Sequence, residues 1–280
     1  MAHLENSRRR SAKELVDTRL KKSLRLAWLP LGWWLSTAVV LLPLAGWEWL
    51  VRSARVSPLF FPAPSAIALT LLQLLKSDKL AINLAATLSR VFLGFVLGAV
   101  PGLILGLIMG WSHRLRVFID PFIAAAHPVP KIALLPLIMI IFGVGESSKV
   151  AIVGMAAFFP MLINAMAGVR QISLIHFEVA ENYGASLIKV FTRVVVPGSL
   201  PLVLTGARLA LNAALLLTIA VELLTAQKGL GVMVWFAWQT LRTEELYASV
   251  AVTAALGISF NLLLQRLAVH LVPWQVEREK

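Results

Sequence analysis

A chain of 280 residues that is 59% hydrophobic, with a mean hydropathy of +0.81, carries more apolar surface than a soluble fold of its size can bury. Its formal charge is +12, but Arg8, Arg9, Arg10, Lys13, Arg19, Lys21, Lys22 and Arg25 all precede the first apolar run. That is the position of a cytoplasmic membrane anchor, not of a nucleic-acid surface. Cysteine is absent, which excludes disulfides and thiolate metal sites and leaves the compartment open.

The first apolar stretch, Leu26–Trp47, exceeds the ~7–15 residues of a signal-peptide core and reads as a retained span. The later stretches are Val91–Ser112, Pro121–Gly145 (interrupted by Lys131), Val150–Val169, Leu209–Val221 (preceded by Pro201 and Arg208) and Leu246–Gln265. Each approaches the ~20 residues that cross a hydrocarbon core, and backbone groups in lipid must be satisfied internally, so the spans are helices. The reading is an all-α polytopic membrane protein with six transmembrane helices. It divides into a basic tail over 1–27, a membrane domain over 28–272 containing a long loop at 171–201, and a short tail over 273–280. With the basic N-terminus inside, Arg114 and Arg116 fall in the first internal loop and Arg170, Lys189 and Arg193 in the second. Both termini are then cytoplasmic. The tryptophans at 28, 33, 34, 47 and 49 suit an interfacial belt, and Glu48 and Arg52 form a helix pair with the acid first.

After the first span, Ser57–Leu80 opens with Pro58, Pro62 and Pro64 and continues as a short surface helix that Ser65 can cap. The second span carries Gly94, Gly98, Gly102, Gly106 and Gly110, each four apart, a ridge that lets another helix approach closely, within one subunit or between two. Lys131 is the one charge inside the third span, among Pro128, Pro130 and Pro136, and lies ~16 Å along a helix from Asp120. It can attract an anion on a transport path or serve a structural pairing. Glu222, at the outer end of the fifth span, can pair with Arg208 or Lys228 or shape the outer mouth of the path.

Gln171–Pro201 is too polar to cross and too apolar for a free linker, so it should lie on the cytoplasmic face against a partner. Within it, Glu178-Val-Ala-Glu-Asn-Tyr-Gly184 followed by Val194-Val-Val-Pro197 resembles the cytoplasmic loop signature of binding-protein-dependent ABC importer permeases. Glu178, Ala180, Gly184 and Pro197 match in identity and spacing; Val179, Val194 and Val196 replace an alanine, an isoleucine and a leucine. A short helix there can offer an apolar face to a groove, Gly184 permits a sharp turn, and Pro197 sets the start of the fifth span. Further segments resemble the nitrate/sulfonate/taurine branch of that family. They are Leu59-Phe-Phe-Pro-Ala-Pro-Ser65, Asp120-Pro121, Pro128 to Pro136, Phe142 to Lys149, Phe159-Pro160 with Asn164 and Gly168-Val-Arg170, Leu204 to Arg208, and Gly229-Leu-Gly231. The resemblance runs from about residue 30 to 272.

The resemblance implies a type I ABC importer permease bundle in a bacterial inner membrane. It implies a homodimer, two separate ABC ATPase subunits, and a periplasmic or lipid-anchored substrate-binding protein. Glu178, Ala180, Glu181, Gly184 and Pro197 would couple to the ATPase; Lys131, Asn164 and Glu222 are candidates for the substrate path. The implied cargo is a small anion: an alkanesulfonate, taurine or nitrate. The competing class, an ATP-independent secondary transporter or channel, predicts internal repeats and paired broken helices, and no sequence repeat is visible. No Gly-x-x-x-x-Gly-Lys-[Ser/Thr] phosphate loop occurs, the histidines at 3, 113, 127, 176 and 270 form no metal spacing, and no nucleophile, base and acid are grouped. The expectation is a non-enzymatic protein without metal or cofactor.

Overall fold

The computed structural model describes residues 38–276 except Val40. The basic tail, the tryptophans at 28, 33 and 34, most of the first apolar stretch and the last four residues lie outside the described residues. Contacts divide the chain at Ile67 into two compact units.

In the first unit, helix α1 (41–52) carries Glu48, whose carboxylate accepts from Arg52 Nε at 2.6 Å. The same carboxylate accepts from Ser65 N at 3.1 Å and Ser65 Oγ at 2.8 Å. Helix α2 (Pro64–Leu75) begins one residue before Ser65, so Ser65 is not its cap. Glu48 takes the free N–H instead, and that hydrogen bond, ahead of the Arg52 contact, holds its carboxyl below the usual carboxylate range.

The second unit is built on three long helices: α3 (Asp78–Trp111), α6 (Glu146–Arg170) and α9 (Val196–Thr225). Small and branched side chains fill the space between them: Val91, Ala99, Ile152, Val153, Ala157, Ala165, Ala210 and Ala214 are all buried. The five ridge glycines of α3 face α6. A Cβ at Gly98 would overlap the carbonyl of Gly154, and one at Gly102 would stand 2.6 Å from the carbonyl of Phe158. Backbones in contact maximise van der Waals packing, which drives helix association in lipid, where the hydrophobic effect does not. Helix α11 (Thr243–Leu271) packs more openly, with Ala248 and Ser249 its buried residues, and is tied to α9 by an amide exchange between Asn261 and Asn212 at 3.3 and 3.4 Å.

The spans differ from the sequence expectation in instructive ways. Among the described residues, four helices are long and apolar enough to cross, or five if a bent pair is one span. The first expected span falls mostly outside the described residues. The second span does not start at Val91: α3 begins at Asp78, because the buried charge of Arg90 is neutralised inside the bundle and does not end the helix. The fourth likewise reaches back past Lys149 to Glu146, which pair at 3.0 Å.

The third span is not continuous. Helix α4 (His113–Ala126) already contains Arg114, Arg116 and Asp120, expected in or beside a loop. It ends before Pro128, and the chain resumes as a tight turn at Lys131–Leu134 and helix α5 (Leu135–Phe142), the two limbs bent by 84°. Pro128 and Pro130 lack the N–H groups a helix would need there. The ~16 Å helical distance assumed between Asp120 and Lys131 therefore does not hold.

The fifth span starts earlier than Leu209. Helix α8 (Leu187–Val190), a π-helical turn at Phe191–Val195 and α9 run on as one apolar rod to Thr225, with Pro197 in the first turn of α9 and Pro201 tolerated just beyond. Two helices complete the unit: α7 (Leu174–Asn182), in the connection from α6, and α10 (Leu230–Gln239), in that from α9. A last turn, α12 (Pro273–Val276), follows α11.

Candidate functional site

Two ends of the second unit carry the polar chemistry. At the end where α6 finishes and α9 starts, α7 projects an unusual surface. Leu174, Ile175, Val179 and Tyr183 are exposed, as are Leu187 and Ile188 just after it. Glu178 and Glu181 are exposed on the same short helix, and Ala180 is half-buried. Ala180 and Val179 line a cleft with His176, Arg193, Val194, Pro197 and Trp274.

Gly184 ends α7. Its φ is +63°, Ala185 N–H donates to Ala180 O at 2.9 Å, and Gly184 N–H donates to Glu181 O at 2.8 Å. This is the six-to-one and five-to-two pairing of a left-handed helix stop. A Cβ at Gly184 would meet nothing within 4 Å, so the backbone conformation, not space, asks for glycine. Every Cβ-bearing residue pays for that conformation.

At the opposite end lies a buried ionic cluster. Arg90 donates through Nη1 to Glu222 at 2.7 Å and to Lys228 O at 2.5 Å, and through Nε and Nη2 to Glu146 at 2.6 and 2.8 Å. Lys149 joins Glu146, so two cations face two carboxylates. Glu222 is 1% exposed and also accepts from Thr87 Oγ1 at 2.9 Å and from Gly231 N–H at 2.9 Å. Leu230 N–H donates to Thr87 Oγ1, and Gly229 N–H donates to Asn83 Oδ1.

Side chains of α3 and α9 thus cap the free N–H groups at the start of α10. Gly229 has a φ of +139°, and a Cβ there would fall on the Glu222 carboxyl. The partner of Glu222 is Arg90; neither the Arg208 nor the Lys228 side chain pairs with it. The sequence held a signal for this: Asn83, Thr87 and Arg90 recur at four and three residues on one face of α3.

The remaining path candidates are placed between these ends. Lys131 sits at the break of the third span, its Nζ donating to His127 O and lying 4.6 Å over the Phe159 ring. Asn164 donates to Pro160 O at 2.8 Å, and its Cβ is where Gly206 of α9 packs against α6. Among the described residues no cluster of His, Asp and Glu could hold a metal ion.

Residues 102–276 match the family described as the binding-protein-dependent transport system inner membrane component. The chain belongs to this family. Membership makes it the membrane-spanning, non-enzymatic component of such a transport system. The chain is 36% identical over 274 residues to the taurine transport system permease protein TauC of Escherichia coli, covering 94% of this chain and 98% of that one. It is 32% identical to the aliphatic sulfonates transport permease protein SsuC of Bacillus subtilis, covering 87% and 88%. The riboflavin transport system permease protein RibX of Chloroflexus aurantiacus is 33% identical over 93% of this chain and 96% of its own. Among solved structures, an inward-facing form of the MetNI methionine ABC transporter superposes with a TM-score of 0.59 at 17% identity, covering 66% of this chain and 93% of that one. That likeness speaks for the fold, and it is the helical bundle of an ABC importer permease.

Proposed function

We propose that this family member is the permease of an ATP-driven importer for a small sulfonate or related anion. The observation that carries the coupling part is α7: a short helix with an exposed apolar surface, closed by a left-handed glycine, in the connection between two spans. Such a helix suits the groove of a separate ATPase subunit. Glu178, Ala180, Glu181 and Gly184 are its docking residues, and Pro197, beside the cleft at its base, passes motion into the fifth span. The α7 end is then cytoplasmic and the Arg90 cluster faces the substrate-binding protein, with both termini inside. Two copies of the chain form the path between them.

The substrate class follows from the taurine and aliphatic-sulfonate permeases to which the chain is similar, with the riboflavin permease marking the breadth of the family. The Asn164 amide nitrogen and both carboxylate oxygens of Glu222 have partners within the bundle, which supports a structural role for each. Lys131 holds the break of the third span. An ATP-independent transporter would have no use for α7.

The test is Gly184→Glu. It strains the stop of α7 and adds charge to the docking face, so the protein should insert and assemble while ATP-driven uptake of taurine or ethanesulfonate falls at least about tenfold. Uptake equal to wild type would refute the coupling role.

A further inference from the structure

Lys131, Asn164 and Glu222 each have internal partners; Arg208 has none among the described residues. It stands about 18 Å along α9 from Val196, in the middle of a 30-residue helix and close to the level where Gly206 meets Asn164. Its Nε is completely covered yet has no hydrogen-bond partner, and no described carboxylate pairs with it. It lies well inside the apolar rod of Leu187–Thr225, more than about four helical turns from either end. A cation so placed is tolerated where it meets a counter-charge or a water-filled path. The other groups on its face of α9 are spoken for: Thr205 donates to Pro201 O at 3.1 Å, and Asn212 is bound to Asn261. The Nε of Arg208 is the buried, unsatisfied donor of that row, and the planar fork of a guanidinium matches an oxyanion.

We propose that Arg208 is the anion-recognition group of the translocation path, taking the sulfonate or comparable oxyanion head of the cargo as it crosses. The assignment rests on the permease reading and selects this residue over Lys131, whose amino group is already held by His127 O and the Phe159 ring. The alternative occupant is a carboxylate from a second copy of the chain, for which the exposed Asp120 of α4 is the mid-helix candidate.

The experiment uses the full chain, purified in nanodiscs with the subunits that accompany it, and compares wild type with Arg208→Gln, Arg208→Lys and Asp120→Asn. Two readouts are taken: in nanodiscs, the shift in thermal midpoint on adding ethanesulfonate, with sodium chloride and uncharged ethyl methyl sulfone as controls; and, after reconstitution of the same complex into sealed proteoliposomes, uptake of ethanesulfonate. Wild type and Arg208→Lys should be stabilised by ethanesulfonate but not by the sulfone. Arg208→Gln should lose that shift and at least about tenfold of uptake while assembling normally, as loss of a charge-assisted contact implies. An undiminished shift in Arg208→Gln, or no shift in wild type, would overturn the assignment. So would matching assembly defects in Arg208→Gln and Asp120→Asn, which would mark an inter-subunit ion pair. An intact, Arg208-dependent shift without ATP-driven uptake would sink the importer reading alone.

Discussion

Replacing Arg90 with methionine removes the cation shared by Glu146, Glu222 and the carbonyl of Lys228. The two carboxylates then face different fates. Glu222 is 1% exposed and keeps only Thr87 and the Gly231 N–H, so its charge is stranded. The Glu146 side chain is 62% exposed and keeps Lys149. Stranding a buried charge costs about 3–5 kcal/mol, whereas losing an exposed pair costs about 0–1 kcal/mol. Arg90→Met is therefore expected to destabilise the protein by about 3–5 kcal/mol, and Glu146→Gln by clearly less, since Arg90 keeps Glu222 and the glutamine oxygen can still accept from it. Removing both buried charges in Arg90→Met/Glu222→Gln should cost less than the two single changes together, by about 1–3 kcal/mol. Denaturation of the nanodisc-embedded protein, followed by the fluorescence of its nine tryptophans, measures all four variants. Equal losses for Arg90→Met and Glu146→Gln, or strict additivity in the double variant, would refute the claim that one buried pair anchors α10.

Gly102→Leu would drive a side chain into the carbonyl of Phe158 and force α3 off α6. Overpacking of this kind costs about 1–3 kcal/mol or more, so both thermal stability and the yield of assembled complex should fall; normal values for both would remove the ridge from the account. Lys131→Gln should lower stability and uptake together, since the amine holds the turn between the two limbs of the third span. A selective loss of uptake at wild-type stability would put Lys131 on the substrate path instead.

Much of the bundle was legible because its cause is local. Glycines four apart can only line one helix face, and Pro128 with Pro130 must interrupt a helix. The segment at Glu178–Gly184 showed its helix and its stop, since a left-handed residue favours glycine. What stayed hidden depends on partners distant in the chain. Arg90 looked like the end of an apolar run because its charge is cancelled 56 and 132 residues away, at Glu146 and Glu222. Helix α10 gave no early sign, as its first N–H groups are capped by Asn83, Thr87 and Glu222, contributed by other helices. The bend in the third span follows from two prolines, but its 84° angle is set by packing. Arg208 invited pairing with Glu222 along its own helix until Arg90 proved to occupy that carboxylate.

The central claim is that a nucleotide-driven subunit pushes on α7. The chain has no cysteine, so a single one introduced by Glu181→Cys reports on α7 alone, and Trp238→Cys on α10 serves as a control at the opposite end. In intact membranes, a short thiol–amine cross-linker should join position 181 to an ATPase subunit, with a yield that changes when ATP is bound, and should not join position 238 to it. A free, nucleotide-insensitive thiol at 181, or cross-linking to the ATPase from 238, would contradict the account.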